Sequence, residues 1–227
     1  MDVKILASGS SGNVATVDDS LIIDCGANVP TCGDCLLITH QHTDHTKFIE
    51  RAAGFPIYMT EPTANALLKT HCYTRATLLS IDWWYAIGKY KVRPIELKHD
   101  VPCVGYDIKD DKGERILFAT DFNSIITPID VRDYTALYLE CNNTLDVAGM
   151  QDAYFGDALP RDEFHRRKSF ANHCNADYLI TLFERAGFSE RNPCTIPLTL
   201  LHKSSYYYDA NPDKIKKLTA IANVRNA

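Results

Sequence analysis

The 227-residue sequence lacks any hydrophobic run of membrane-spanning length, and it lacks an excess of positive charge. A membrane helix needs about 20 consecutive apolar residues, whereas the longest apolar runs here are of strand length. Lys and Arg number 24 against 29 Asp and Glu, which gives a net charge of −5. A protein that coats duplex nucleic acid is normally basic, so we expect any nucleic-acid contact to be local. The start of the chain does not have the pattern of a secretory leader, and we expect a cytoplasmic protein without membrane contact.

The sequence also lacks a paired pattern of cysteines. Its eight cysteines are scattered, and only Cys32 and Cys35 are close together. Without an export signal these thiols are expected to be reduced. One Cys-x-x-Cys pair supplies half of a zinc site, and no second pair completes it. A zinc or redox role stays open, but the spacing favours a turn that leads into a strand.

The pattern of apolar residues predicts short strands broken by turns, followed by more helices in the second half. Strands are predicted at 3–6, 14–17, 21–24, 36–39, 56–60, 104–109, 115–120, 136–140 and 196–201, and helices at 43–53, from 61, at 161–170, 174–186 and 213–222. Strands followed by helices, twice over, predict an α/β fold in which two sheets lie between helical layers, an αββα sandwich. No linker or repeat divides residues 1–227, so we expect a single domain.

The segment His40-Gln41-His42-Thr43-Asp44-His45 carries the strongest chemical signal. In an extended turn His40 and His42 point the same way, whereas Asp44 and His45 fall at the start of the next helix. One metal ion cannot easily use four ligands at this spacing, but two adjacent ions can. Imidazole and carboxylate ligands without thiolate suit zinc, and also manganese or iron. The segment therefore predicts a site for two divalent metal ions, with zinc as the first choice.

This segment resembles the H-x-H-x-D-H signature of the metallo-β-lactamase superfamily. Three later segments resemble its third, fourth and fifth ligand positions in the family's order, and these are His99-Asp100-Val101-Pro102, Ala119-Thr120-Asp121 and Leu200-Leu201-His202. The resemblance covers nearly the whole chain and implies the four-layer αββα sandwich of the family. It implies one metal ion on His40, His42 and His99, and a second on Asp44, His45 and His202, with Asp121 shared between them.

Other segments resemble the phosphodiesterase branch of this superfamily. The stretch from Ser8 to Asn13 is similar to the S-G-S-S-G-N opening of small bacterial nuclease-like members. Glu140, followed by Asn142, resembles a glutamate of that branch, and His173 retains the histidine of its G-H-L-S-N segment while the neighbouring residues differ. By this resemblance a hydroxide that bridges the metals attacks phosphorus, His173 protonates the leaving oxygen, and Glu140 orients His173.

The lengths between these segments limit the substrate. Residues 105–121 leave room for a single hairpin and not for the RNA-gripping arm of tRNA-processing relatives. Asp121 and His173 are only 52 positions apart, which leaves no room for the domain that the larger nucleases of the superfamily insert before the last ligands. We therefore expect a cyclic nucleotide or a short single-stranded nucleic acid as substrate, and the resemblance is compatible with a homodimer. Two other classes stay open: hydrolysis of a thioester, lactone or β-lactam at the same metals, and a non-catalytic protein stabilised by metal.

Two further features of the sequence can each be interpreted in two ways. The basic cluster of Arg161 and Arg166 to Lys168 can receive a phosphate or form an ordinary solvated helix face, since Asp162 and Glu163 adjoin it. The aromatic runs Trp83-Trp84-Tyr85 and Tyr206-Tyr207-Tyr208 can stack on nucleobases, or they can pack in a core or a dimer interface.

Overall fold

The computed structural model describes residues 1–30, 32–52, 54–71, 75–145, 167, 170–205 and 207–225, in which the strands form two sheets. The first sheet has the order β1-β2-β3-β4-β5-β6. Its strands are β1 (Val3–Ala7), β2 (Val14–Val17), β3 (Leu21–Ile23), β4 (Cys35–Leu37), β5 (Ile57–Thr60) and β6 (Ala76–Leu79). The strands β1 to β3 pair antiparallel, and β3 to β6 pair parallel.

The second sheet has the order β11-β8-β9-β10-β12-β13-β14, and β7 also pairs with β8. Its strands are β7 (Tyr85–Ile87), β8 (Tyr90–Lys98), β9 (Cys103–Lys109), β10 (Arg115–Ala119), β11 (Ser124–Ile125), β12 (Ala136–Glu140), β13 (Pro197–Leu201) and β14 (Asn223–Arg225). The neighbours β8, β9 and β10 are antiparallel, so β8 and β10 run in the same direction. The strands β10, β12, β13 and β14 are parallel.

Four α-helices with defined bounds accompany the sheets in the described part of the chain, where residues 167 and 170–172 are helical as well. They are α1 (Thr43–Thr46), α2 (Glu61–His71), α3 (Ala176–Arg185) and α4 (Pro212–Ile221), and short 3-10 helices span Ile49–Ala52 and Val131–Asp133. The side chain of Asn175 caps α3 by accepting a hydrogen bond from the backbone N–H of Asp177. None of these helices has both the length and the apolar character that a bilayer crossing requires.

Three buried apolar clusters give the order of the layers. The cluster between the sheets takes side chains from both of them, including Leu21, Ile23, Val92, Tyr106 and Phe118. A second cluster packs Leu67 of α2 against the outer face of the first sheet. A third packs Leu179 and Phe183 of α3 and Leu218 of α4 against the outer face of the second sheet. The predicted αββα sandwich is therefore confirmed.

The predicted helix over 43–53 is wrong, because the chain forms the short α1 and then a separate 3-10 helix. In a continuous helix the carbonyls of Asp44 and His45 would accept hydrogen bonds from residues four positions later. Instead, the Asp44 carbonyl accepts from Asn13 N–H at 2.7 Å, and the His45 carbonyl accepts from Cys25 N–H at 2.8 Å. Contacts with distant loops thus end α1 after a single turn.

Strand β8 was not predicted, and Pro94 at its centre argues against a strand. The structure shows why the proline is tolerated. The Pro94 carbonyl accepts from Asp82 N–H on the side of β8 away from β9, and in a strand the N–H and C=O of one residue share a side. In the described chain β7 and β11 pair only with the two ends of β8 on that side. The missing N–H of Pro94 therefore costs no ladder hydrogen bond.

Asp18, in the turn between β2 and β3, ties the first sheet to the second. Its carboxylate accepts hydrogen bonds from the Tyr90 hydroxyl at 2.8 Å and from the Asp2 N–H at 2.7 Å, and Lys89 Nζ lies 3.1 Å away. Partial burial acts to raise the pKa of Asp18, but these three donors outweigh it and lower the pKa to about 2. The ionised form is thus stabilised by folding.

We expect Asp18→Asn to lower the free energy of unfolding at pH 7 by about 1–2 kcal/mol. A depressed pKa contributes stability above the unfolded pKa near 4 that is lost as the pH falls toward 2, so the difference from wild type should shrink over that window. Asparagine tolerates the left-handed φ of 50° at this position. Urea unfolding at stepped pH measures the effect, with exposed Asp111→Asn as control. A difference that stays constant with pH would contradict the role of the charge.

Candidate metal centre

The candidate ligands lie where strands of both sheets end. The strands β8, β10, β12 and β13 run in the same direction, so their carboxyl ends meet at one edge of the second sheet. His99 follows β8, Asp121 follows β10 by two residues, Glu140 ends β12, and His202 follows β13. His40 comes three residues after β4 of the first sheet. The topology therefore collects at one place side chains that are up to 162 positions apart in sequence.

The short helix α1 carries Asp44 and His45 to the same place. Its start rests directly on the loop after β3, because a Cβ atom on Gly26 would lie only 1.5 Å from the Asp44 carbonyl oxygen. Only glycine can be accommodated at this contact. Asp121 and His202 adopt left-handed φ values of 55° and 50°, which are uncommon for residues other than glycine.

His40, His42 and His99 form the first cluster. The distance from His40 Nε2 to His42 Nδ1 is 3.1 Å, and that from His42 Nδ1 to His99 Nε2 is 3.4 Å. Zinc–nitrogen bonds of about 2.0–2.1 Å in a tetrahedron place ligand nitrogens about 3.3–3.4 Å apart. The opposite nitrogen of His99 contacts the Asn172 carbonyl oxygen at 3.0 Å, which directs Nε2 inward. The donor atoms therefore fit a shared divalent ion.

Asp121 lies between the remaining candidates. Its Oδ2 is 2.9 Å from His45 Nε2, and its Oδ1 is 3.2 Å from His202 Nδ1. Asp44 Oδ2 is 3.7 Å from His45 Nε2. The rings of His40 and His45 are 4.1 Å apart, so the two halves of the site adjoin. A carboxylate in this position can contribute one oxygen to each of two ions.

The groups of side chains whose donor atoms converge differ from the predicted ligand sets in the placement of His202 and Asp44. Donor atoms of His202 converge with those of Asp121, Glu140 and His173, and donor atoms of His45 converge with those of His40 and Asp121. Asp44 belongs to none of these groups of described residues, although its Oδ2 lies 3.7 Å from His45 Nε2. All seven predicted ligands are thus brought together, while the assignment of Asp44 and His202 to the second ion stays a prediction.

The charge states of the histidines follow from their surroundings. Burial and the neighbouring His45 lower the pKa of His40 well below its usual range, so His40 is neutral and keeps a free lone pair. Burial acts in the same direction on His202, but the carboxylates of Asp121 and Glu140 raise the pKa of His202 to about 9. Neutral imidazole is the form that binds metal ions.

Glu140 holds the predicted general acid in place. Its Oε1 lies 2.7 Å from His173 Nδ1 and 2.8 Å from His202 Nδ1. Its Oε2 accepts from the N–H groups of Phe122 at 2.7 Å and Cys174 at 3.3 Å. Burial acts to lower the pKa of His173, but the Glu140 carboxylate outweighs it and raises that pKa. Glu140 therefore orients His173 near the cluster and favours its protonated form, and the His173 ring lies 5.5 Å from that of His99.

Two supporting residues were not identified from the sequence as part of the site. The buried Asp24 accepts from His45 Nδ1 at 2.7 Å and from the Thr39 N–H at 2.9 Å, which aims His45 Nε2 at Asp121. Asn13 places its side-chain Nδ2 2.8 Å from His45 Nε2, and its Oδ1 accepts from Gly9 N–H. A charged residue that directly follows the apolar strand Leu21–Ile23 was the available signal for Asp24.

Some predicted features lie elsewhere. Cys32 is exposed, whereas Cys35 is buried at the start of β4, as expected for a turn that leads into a strand. Of the basic cluster only Arg167 lies among the described residues, and Arg161, Arg166 and Lys168 lie outside them, as do Tyr206 and most of the helix predicted at 161–170.

Comparison with known proteins places these features in a family. The family described as "Beta-lactamase superfamily domain" matches residues 28–154. Two curated proteins of Streptococcus pneumoniae (strains D39 and R6), both named exodeoxyribonuclease WalJ, are 27% identical over 171 residues. That match covers 63% of this chain and 63% of each relative, so it spans less than two thirds of their length.

Solved structures share the fold at low identity. The metallo-β-lactamase fold protein YhfI from Bacillus subtilis superposes with a TM-score of 0.69 at 19% identity, covering 99% of this chain and 95% of its own. Unliganded yeast PDE1 gives a TM-score of 0.68 at 11% identity, covering 99% and 96%. At these identities the likeness shows the fold.

We expect Gly26→Ala to weaken zinc binding at least about tenfold, because the added methyl group must displace Asp44 and with it His45. Zinc affinity is measured by competition with a chromophoric chelator. Gly54→Ala is the matched control, because a Cβ atom there meets nothing within 4 Å. Equal zinc affinity in both variants would show that the close contact between Gly26 and the Asp44 carbonyl does not position the predicted ligands.

Proposed function

The chain belongs to the β-lactamase superfamily, and on that premise we propose that it is a two-metal phosphodiesterase. The pair of Glu140 and His173 beside the histidine–aspartate cluster carries the proposal. Cleavage of a phosphodiester releases an alkoxide, which is a poor leaving group unless a positioned acid protonates it. Hydrolysis of a thioester, lactone or β-lactam at the same metals has no need of this acid.

The residues that would hold the metals follow from the donor set. We assign one ion to His40, His42 and His99, and the other to Asp44, His45 and His202, with Asp121 between them. Zinc suits these nitrogen and oxygen donors, and manganese is the alternative. When bound, such a pair supplies a nucleophile from water at neutral pH and neutralises charge on the phosphate.

The remaining steps belong to side chains of this protein. The 2.7 Å contact with Glu140 fixes a proton on Nδ1 of His173, so the opposite ring nitrogen is the one that delivers a proton to the leaving oxygen. The raised pKa of His173 keeps this proton available at neutral pH. After the transfer, the hydrogen bond to Glu140 retains the ring in place for reprotonation from solvent.

Short single-stranded nucleic acid is the substrate we favour, with a cyclic nucleotide as the alternative. The curated relatives are exodeoxyribonucleases by name, which supports a polynucleotide. Strands β9 and β10 are joined by a plain turn around residues 110–114, so the described residues 103–121 provide no arm to grip a folded RNA. The net charge of −5 argues against a duplex.

We further propose that residues 1–227 act as one hydrolase domain. The N-terminal and C-terminal parts of the chain meet at the site, where the His202 N–H donates a hydrogen bond to Ser8 Oγ at 2.8 Å. The cytoplasmic location and the homodimer stay predictions from the sequence.

The decisive test of the acid compares two leaving groups in His173→Gln. Cleavage of an oligonucleotide, with its alkoxide leaving group, should fall about 10²–10⁴-fold, whereas bis(p-nitrophenyl) phosphate, with its good leaving group, should be hydrolysed at nearly the wild-type rate. Initial rates with zinc-loaded and manganese-loaded protein give both values.

The control for this test is His42→Ala, which should lose both activities because it removes a predicted metal ligand. Equal losses on the two substrates in His173→Gln would contradict the acid role. Turnover of thioesters or lactones, without turnover of either phosphodiester by the metal-loaded wild type, would overturn the proposed class.

A further inference from the structure

The two tryptophans of the chain are on its surface, in the segment that joins β6 to β7. Trp83 is 70% exposed and Trp84 is 38% exposed. Burial of this much aromatic area in a core would stabilise the fold, and here it does not occur. The core-packing interpretation of this aromatic run is therefore wrong for both residues. An exposed aromatic pair of this kind calls for a partner.

Cations surround Trp84. Lys109 Nζ lies 4.3 Å from the ring centroid, and the guanidinium groups of Arg93 and Arg115 lie 5.2 Å and 5.7 Å from it. Both arginines are fixed by Asp107, a fully buried carboxylate with a contact of 2.7 Å to each. Three strands thus present their positive groups around one indole ring.

Lys109 is the cation that a ligand can use. Arg93 is also paired with Asp82, and Arg115 with Asp133, at 2.9 Å and 3.1 Å. No carboxylate in the described part of the chain forms an ion pair with Lys109. Burial lowers the pKa of Lys109, with Arg115 and Arg93 acting in the same direction and Asp107 and Asp133 against it. The ammonium group of Lys109 can therefore pair with an anionic ligand.

This surface continues to the candidate metal centre along the edge of β8 that faces away from β9, where β7 and β11 pair with the two ends of the strand. Three loop N–H groups donate to successive outward carbonyls of β8: Asp82 to Pro94, Ile126 to Glu96, and Asn123 to Lys98. His99 follows directly, and Ile126 is 50% exposed midway. His99 comes five positions after Pro94, which is about 17 Å in an extended strand. A strand of several nucleotides can cover this distance.

We propose that Trp83, Trp84, Lys109 and Ile126 form a binding track for single-stranded nucleic acid, one end of which reaches the metal centre. Bases stack on the open faces of Trp83 and on Ile126, and Lys109 contacts a backbone phosphate. The proposal rests on the proposed phosphodiesterase function and deepens it. A second copy of the chain is the alternative occupant, and the test below distinguishes it from nucleic acid.

The chain has two tryptophans, and both lie in this track, so tryptophan fluorescence excited at a wavelength that tyrosine does not absorb reports on the track. Metal-loaded protein is titrated with a phosphorothioate oligothymidylate of about ten nucleotides, which resists cleavage while spanning the track. We expect quenching of the fluorescence on binding. Trp83→Ala should weaken binding at least about fivefold, as measured by fluorescence anisotropy of a labelled oligonucleotide. Lys109→Gln should reduce the salt dependence of binding by about 0.7 in log–log slope.

Matched controls lie on other surfaces. Leu78→Ala removes a 50% exposed apolar side chain from β6, and Lys216→Gln removes a 77% exposed lysine from α4. Neither should alter oligonucleotide binding. Trp83→Ala and Lys109→Gln should both hydrolyse bis(p-nitrophenyl) phosphate at the wild-type rate, because this substrate is too small to reach the track.

Two results would overturn the track. One is unchanged oligonucleotide affinity in both Trp83→Ala and Lys109→Gln. The other is a dimer in sedimentation velocity that Trp83→Ala dissociates, without any change in oligonucleotide affinity, which would make this surface an interface between copies. Failure of the proposed function is seen separately, as absence of bis(p-nitrophenyl) phosphate turnover in the metal-loaded wild type.

Discussion

A single fully buried carboxylate, that of Glu140, organises the end of the molecule that carries the candidate metal centre. Removing a charged group from water is costly unless every acceptor position is used. Glu140 meets this condition with two imidazole nitrogens and two backbone N–H groups from three separate segments. The cost of burial is offset only when β10, β13 and the segment before α3 are all in register. The same contacts that satisfy the charge therefore position the predicted metal ligand His202 and the proposed acid His173.

The two sheets contribute differently to the site. The first sheet supplies several candidate ligands from one short segment, His40 to His45. This segment is held by Asp24, Asn13 and the close approach at Gly26. The second sheet supplies single residues from the ends of co-directional strands, and their placement depends on register over the whole sheet. Substitutions in the first sheet thus affect ligands as a group, while substitutions in the second affect them one at a time.

The sequence was sufficient for the fold, because its main signals are local, whereas the roles of the candidate site residues stay predictions. The apolar strands that precede Asp121 and His202 can be recognised without knowledge of their neighbours, whereas His99 was found from its resemblance to the family's third ligand position. The failures have non-local causes. The helix at α1 stops because distant backbone groups occupy its carbonyls. Strand β8 tolerates Pro94 because the proline lies between the two segments of the strand that pair with β7 and β11. Likewise, no local pattern shows that Asp24 faces His45.

The hydrogen bond between Ser8 and His202 joins groups 194 positions apart, and this has a consequence for biosynthesis. A chain emerging from the ribosome presents His40, His42 and His45 long before Asp121 or His202 exists. Contacts of such long sequence separation form late in folding, because loop closure must precede them. During translation the protein therefore passes through a stage with half a metal site. Any ion captured then must remain bound, or be exchanged, while the second sheet assembles around it.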